Sequence, residues 1–208
     1  MPIDNMSDSQ IGNYESLIDG LMTQNFGLVD NFLSEDLVVG LRNNLIKLYD
    51  HGKMHPAGIG KRFSYQRNLK VRGDQIFWID KHSNDPYEQN FVEQIQAFVE
   101  YLNRTCYTGI NDFEFHYAYY EEGSFYKRHL DQFKVDQGRK FSLVTYLNDQ
   151  WLETDGGKLS LYLDDQEISA FPLGGRAVLF KSDEVEHEVH AAVRPRMSIA
   201  GWLKVHKP

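Results

Sequence analysis

Phe113-Glu114-Phe115-His116-Tyr117-Ala118-Tyr119-Tyr120 is the stretch from which the fold is read. Phe113, Phe115, Tyr117 and Tyr119 alternate with Glu114, His116, Ala118 and Tyr120, a period of two that belongs to a half-buried strand. Upstream the period is helical. Ser34, followed by Glu35 and Asp36, predicts a helix start, because the hydroxyl can cap free N–H groups and the acids complement the helix dipole. Leu37, Val38, Leu41, Leu45 and Leu48 then recur on one face. A second helix opens at Asp85-Pro86, with Asp as cap and Pro in the first turn, and carries the stripe Phe91, Ile95, Phe98, Val99 and Leu102. Downstream, strand-like runs fall at Lys140–Leu147, Lys158–Leu163, Gln166–Phe171, Arg176–Lys181, His187–Ala192 and Arg196–Val205. Asp155-Gly156-Gly157, Asp164-Asp165 and Pro172-Leu173-Gly174-Gly175 supply turns between them. Helices first and many short strands afterwards imply an α+β chain, mainly β: a two-sheet jelly roll, or double-stranded β-helix, buttressed by N-terminal helices. The 208 residues suit one domain over 1–208, with the jelly-roll core at about 113–205 and a polar, flexible leader at 1–12.

Composition narrows the function classes. The formal charge is −8, which gives no general attraction to nucleic acid or anionic membrane. One segment departs from that average. Between His51 and Gly73 there are six basic residues (Lys53, Lys61, Arg62, Arg67, Lys70 and Arg72) and no Asp or Glu, so the rest of the chain carries −14. This stretch includes His55-Pro56-Ala57-Gly58-Ile59-Gly60 and reads either as a solvated loop or as a docking loop for a protein. The lone Cys106 forms no internal disulfide and fits a reducing compartment. No apolar run approaches the roughly 20 residues of a membrane span, and Met1–Gln10 has no signal-peptide core, so a cytoplasmic protein is expected.

The residues that carry chemistry are His129-Leu130-Asp131, His187 and Arg196. Residues i and i+2 of an extended chain point the same way, so His129 and Asp131 can face one ion, with His187 brought alongside by strand pairing. Two imidazoles and one carboxylate occupy one face of a six-coordinate iron and leave three positions open. Zinc favours a closed tetrahedral site, and calcium or magnesium favours oxygen throughout. The triad therefore points to iron(II) and an oxygenase. A guanidinium offers a carboxylate a two-pronged fork, so Arg196 suits the remote carboxylate of a dicarboxylic co-substrate; Arg194 competes for that role. Tyr119, Tyr126 and Tyr146 lie where strands should line the cavity, and a phenol can add a hydrogen bond to the same carboxylate. His116 reads as a strand residue facing a helix or solvent. His190, three positions after His187, points to the other side of its strand. His51, His55, His82 and His206 have no spacing that argues for function.

Taken together, these residues resemble the prolyl 4-hydroxylase family of iron(II)/2-oxoglutarate-dependent dioxygenases, close to the hypoxia-inducible-factor prolyl hydroxylases and their bacterial relatives. The resemblance runs from about Phe26 to Lys204. It is carried by Val71-Arg72-Gly73-Asp74-Gln75-Ile76-Phe77-Trp78-Ile79, by Tyr126-Lys127-Arg128-His129-Leu130-Asp131, and by Tyr146-Leu147-Asn148. It continues in Asp155-Gly156-Gly157-Lys158-Leu159, in Leu179-Phe180-Lys181-Ser182-Asp183 leading to His187, and in Arg196-Met197-Ser198-Ile199-Ala200-Gly201-Trp202. The resemblance implies His129, Asp131 and His187 as iron ligands and Arg196 as the partner of the 5-carboxylate of 2-oxoglutarate. It further implies Tyr119, Tyr146 and Leu159 in the co-substrate pocket, Tyr126 near the iron and the target proline, and Trp202 on the pocket wall. The stretch before Arg72, with Lys61, Arg62 and Arg67, corresponds to a loop that closes over substrate. Ala200 and Gly201 are smaller than the residues often found there, which implies a roomier pocket.

The activity so implied is that of an oxidoreductase: hydroxylation of a prolyl residue in a protein, with 2-oxoglutarate and O₂ converted to succinate and CO₂ and with ascorbate as a reductant. For bacterial relatives the resemblance suggests a translation elongation factor of the Tu type as target. Two other readings stand beside it. One is a hydroxylase of a free amino acid or small metabolite; the other is a non-catalytic 2-oxoglutarate or oxygen-sensing module, against which the intact triad and Arg196 argue. Asp131 argues against a halogenase, which needs a small residue there. Repair of nucleic acid fits poorly with the acidic charge and with the lack of a basic stripe outside one loop.

Overall fold

A computed structural model of the chain describes residues 6–58, 71–132, 138–164 and 166–206. Among these residues three α-helices, α1 (Asp8–Gln24), α2 (Glu35–Asp50) and α3 (Pro86–Cys106), accompany eleven strands. The strands are β1 (Phe26–Val29), β2 (His55–Pro56), β3 (Gln75–Trp78), β4 (Asp112–Tyr120), β5 (Tyr126–His129) and β6 (Arg139–Tyr146), followed by β7 (Leu159–Leu163), β8 (Gln166–Ala170), β9 (Ala177–Lys181), β10 (Glu186–Val189) and β11 (Arg196–Lys204). Seven of them form a sheet in the order β1-β9-β6-β11-β4-β3-β2, and the other four form β5-β10-β7-β8. Every pairing is antiparallel, and the crossovers between sheets are those of a jelly roll. Among the described residues no helix is long and apolar enough to cross a membrane.

The expected α2 and α3 form as their caps and stripes dictate. The Ser34 hydroxyl accepts from Leu37 N, and the Asp85 carboxylate accepts from Tyr87 N and Glu88 N. The stripes Leu37, Val38, Leu41, Leu45 and Phe91, Ile95, Phe98, Leu102 are buried in one cluster against the large sheet. Each such side chain contributes roughly 1.5–3 kcal/mol on leaving water.

The flexible leader expected over residues 1–12 is corrected by α1, which begins at Asp8. Ser7 and Gln10 form a reciprocal capping box, and Tyr14, Leu17, Ile18 and Leu21 are buried. Residues 1–5 lie outside the described residues.

The large sheet is covered on both faces, which also corrects the expectation of a half-buried β4. Phe115 and Tyr117 pack in the helix-side cluster, whereas Ala118 and Tyr120 belong to a second cluster between the sheets. The same parity runs through β11. Ile199 and Leu203 face the helices, while Arg196, Ser198, Ala200 and Trp202 line the space between the sheets.

Gly201 sits at a point of forced contact. A Cβ there would lie 2.2 Å from Glu114 O and 2.4 Å from the Phe115 ring. The glycine is therefore required by the close approach of β4 and Phe115. We predict that Gly201→Ala lowers stability by roughly 3 kcal/mol through overpacking, measured by denaturant unfolding. Unchanged stability would show that β4 can yield at this point.

Candidate active site

The two histidines of the triad are brought together by strand pairing. In the β5–β10 ladder His187 stands directly opposite His129, and Val189 stands opposite Tyr126. Four residues on β5 (Tyr126–His129) thus face three on β10 (His187–Val189), an irregularity that leaves Tyr126 and His129 on the same side of the strand. Their rings stack with centroids 3.5 Å apart at 17°. Asp131 lies beyond the end of β5. Its Oδ1 is 3.6 Å from His129 Nε2, and its Oδ2 is 3.6 Å from His187 Nε2. One ligand atom from each of the three residues lies within 4.8 Å of the others.

The electrostatics suit a cation. His129 Nδ1 is 2.7 Å from Lys127 O, and His187 Nδ1 is 3.3 Å from Val185 O. A carbonyl only accepts, so each Nδ1 carries the proton and each Nε2 presents a lone pair. Burial pushes the His187 imidazole down to about 4, which keeps it neutral at pH 7. Burial works against ionisation of Asp131, but the facing imidazoles and the Ser142 hydroxyl outweigh it and hold the carboxyl well below its usual range. The residues therefore fit the metal that their types implied: two imidazole nitrogens and one carboxylate around one point, with cavity on the remaining side.

That cavity, of about 280 Å³, lies between the sheets. Arg196 lines it and is only 2% exposed. Its Nε donates to Gly157 O at 2.9 Å, and its Nη1 donates to Ser198 Oγ at 3.3 Å. Gly157 has φ +65, and a Cβ there would lie 3.2 Å from Arg196 Cδ, so the turn after Asp155 is glycine for a reason of both backbone and space. The Arg196 guanidinium carbon is 5.1 Å from the ring centres of Tyr120 and of Tyr146. The Tyr146 hydroxyl is buried and makes no hydrogen bond of good geometry. Burial raises its pKa, with Arg196 opposing, so it remains a phenol. A buried guanidinium beside an unsatisfied phenol is a pair of donors in need of an anionic acceptor.

Of the residues singled out in the sequence, Tyr126, Leu159, Arg196 and Trp202 line the cavity with the triad, and Tyr146 abuts Arg196. Tyr119 does not join them. It faces the helix side, stacked on Tyr49 at 3.9 Å, while its neighbour Tyr120 faces the cavity. The expected pocket position at Tyr119 is thus corrected: successive residues of β4 face opposite sides, which turns Tyr119 to the helix layer. Arg194 also lies elsewhere, paired with Asp155 at 3.3 Å and donating to Asp149 O. Lys61, Arg62 and Arg67 lie outside the described residues.

His116 was assigned to helix or solvent, yet it is buried in the cavity wall. Its Nδ1 meets Ala200 O, and its ring clusters with those of Trp78 and Trp202, at 5.0 and 5.7 Å, the two indoles being 6.2 Å apart. Arg72 and Asp74, which the sequence gives only a place in the basic stretch and in a family motif, also line the cavity. They form a bidentate pair at 2.7 and 2.6 Å, with the guanidinium 4.1 Å above the Tyr126 ring. The alternation of β4 carried the signal for Tyr120 and His116; nothing local in the sequence indicated the Arg72–Tyr126 contact.

The chain is similar to known proteins in sequence and in fold. The model of the 2OG-Fe(II) oxygenase superfamily matches residues 115–204. A solved prolyl-4-hydroxylase of Pseudomonas putida is 35% identical with a TM-score of 0.82, covering 93% of this chain and 100% of its own. The chain belongs to the prolyl hydroxylase branch of the 2OG-Fe(II) oxygenase superfamily. Fe(II), 2-oxoglutarate and O₂ are the cofactor and co-substrates that this family implies. The hypoxia-inducible factor prolyl hydroxylase of Caenorhabditis elegans is 26% identical over 90% of this chain, which spans 28% of that protein. The prolyl hydroxylase EGLN3 of Mus musculus is 27% identical, with 90% and 82% covered. A prolyl hydroxylase of Trichoplax adhaerens, solved with a peptide of a hypoxia-inducible factor, shares the fold at TM-score 0.84 and 24% identity.

The parity of β4 can be tested on this enzyme. Tyr120→Phe should weaken 2-oxoglutarate binding several-fold, an effect of roughly 1 kcal/mol for one lost polar contact, whereas Tyr119→Phe should leave it unchanged. Titration of 2-oxoglutarate in both variants decides. Equal effects would contradict the assignment of Tyr120 to the pocket.

Proposed function

We propose that this enzyme hydroxylates a prolyl residue of a protein target, turning 2-oxoglutarate and O₂ into succinate and CO₂ as one oxygen atom enters the C–H bond. The observation that carries the reading is the joint one: His129, Asp131 and His187 converge on one point of the cavity that also holds Arg196 beside the unsatisfied Tyr146 hydroxyl. The names of the similar proteins, prolyl hydroxylases from bacterium to mouse, supply the substrate class.

In this reading His129, Asp131 and His187 would hold iron(II), which supplies the oxidative chemistry when bound. The protein's own residues do the rest. The carbonyls of Lys127 and Val185 fix both imidazoles with Nε2 towards the metal. Arg196 and the Tyr146 hydroxyl take the distal carboxylate of 2-oxoglutarate, and the Tyr120 phenol, kept protonated by burial, adds a donor. Leu159, Val144 and Val189 form apolar wall that excludes water from the reacting centre. Tyr126, fixed between Arg72 and His129, and Trp202 stand where the target prolyl ring would approach. The basic stretch with Lys61, Arg62 and Arg67 is assigned to docking of the protein target by its charge alone. An elongation factor of the Tu type, ascorbate as reductant and a cytoplasmic site of action complete the proposal. The lone Cys106 and the resemblance support them.

The deciding experiment loads the full chain with iron(II) under anaerobic conditions and adds 2-oxoglutarate, air and cell lysate. We expect a prolyl residue to gain the mass of one oxygen atom, detected by mass spectrometry of digested proteins. Hydroxylation confined to free amino acids or small metabolites would overturn the protein-target reading.

Arg196→Lys keeps the charge but loses the fork and the bond to Gly157 O. We expect the KM for 2-oxoglutarate to rise about tenfold or more with the fold intact, measured as succinate formed against co-substrate concentration. An unchanged KM would remove Arg196 from the carboxylate site.

A further inference from the structure

The three converging side chains are not held alike. His129 and His187 sit on paired strands of the small sheet, fixed by the β5–β10 ladder. Asp131 lies past the end of β5, where no ladder holds it. Its anchors come from the large sheet instead. Ser142 on β6 places its Oγ 2.7 Å from Asp131 Oδ2, and the Ser182 Oγ just after β9 lies 2.8 Å from the Ser142 Oγ. Ser142 is 1% exposed and Ser182 is wholly buried, so bulk water does not stand in for either hydroxyl. The backbone follows the same route: Gln132 N donates to Ser182 O, and Ser182 N donates to Lys140 O.

Proton counting fixes the direction of the chain. An ionised carboxylate only accepts, so the single Ser142 proton points to Asp131 Oδ2. The Ser142 oxygen is then left as the acceptor of the Ser182 proton. Each link polarises the next, and the pair acts as one donor aimed at one carboxylate oxygen. Oδ2 thus has one lone pair taken, while Oδ1, 3.6 Å from His129 Nε2, keeps both for a cation.

We propose that Ser142 and Ser182 are positioning residues, a buried hydroxyl relay that ties Asp131 to the large sheet and presents Oδ1 to the metal. This rests on the reading of His129, Asp131 and His187 as the metal site. Neither serine touches the ion or the co-substrate in this role; both act through Asp131. Hydrogen-bonding partners behind metal ligands typically change affinity about 10–100-fold.

The test uses the full, metal-free chain and Co(II) as the probe, with affinity and the visible spectrum of the bound ion as readouts. Ser142→Ala should weaken Co(II) binding about tenfold, and Ser182→Ala by roughly threefold, because Ser142 keeps its own bond. Both should shift the Co(II) spectrum in the same direction. The double variant should match Ser142→Ala, since Ser182 reaches Asp131 only through Ser142. A merely structural role would give independent, additive losses of stability and leave the spectrum alone. Should Ser142→Ala not fold, Ser142→Cys fills the site with a weak donor and carries the same expectation. Affinities and spectra equal to the parent, or a Ser182→Ala loss that persists without the Ser142 hydroxyl, would overturn the relay while leaving the triad in place. Absence of Co(II) binding by the parent protein would overturn both.

Discussion

A single cross-strand register, His187 opposite His129, carries more of this structure than any other contact. A slip of one residue between β5 and β10 would turn one imidazole to the outer face of the small sheet and dissolve the convergence on Asp131. The irregularity beside it is equally consequential. Without the extra residue between His129 and Tyr126, the tyrosine ring would leave the face where it stacks on the imidazole. The register is anchored on its far side by β7, whose Leu159 and Leu161 are buried between the sheets.

The large sheet supplies what the small one lacks. Its helix-side cluster is built from the stripes of α2 and α3 and the buried positions of α1, and this layer immobilises β4, β6, β9 and β11. Those strands then present Tyr120, Ser142, Tyr146 and Arg196 to the cavity from a rigid base. The proposed carboxylate anchor and the two histidines thus stand on opposite sheets, and the interior packing between them, including Val178, Phe180 and Val189, sets their separation.

Much of this was legible in the chain. Caps and apolar stripes located α2 and α3, and alternation with turn residues located the strands from β4 onward, because both patterns are local. The spacing of His129, Asp131, His187 and Arg196 announced a metal and an anionic co-substrate. What escaped had identifiable causes. The apolar positions of α1 are spread over a polar sequence, although Ser7 and Gln10 spelled out its capping box. The resemblance implies Tyr119 but does not count strand parity, and the alternation of β4 puts Tyr119 on the same side as Tyr117, which packs in the helix-side cluster. Ser142 and Ser182 are ordinary small residues whose meeting depends on β6, β9 and the end of β5 arriving together. No local pattern encodes that.

The contact between Gly201 and Phe115 has a consequence for how such a pocket can change over generations. Along β11 the odd-numbered side, Ile199, Gly201 and Leu203, is committed to the helix layer, where even one methyl at Gly201 collides with β4. The even-numbered side is not uniform either: Arg196 is bonded on two sides, and Trp202 carries Arg139 on its ring at 3.3 Å. Ser198 is small but accepts a bond from Arg196, which leaves Ala200 as the small cavity-facing side chain on this strand that is tied to no polar partner. Variation in substrate preference that leaves the scaffold intact is therefore channelled through very few codons on this strand, and Ala200 is the first place where a lineage, or an engineer, has freedom to write.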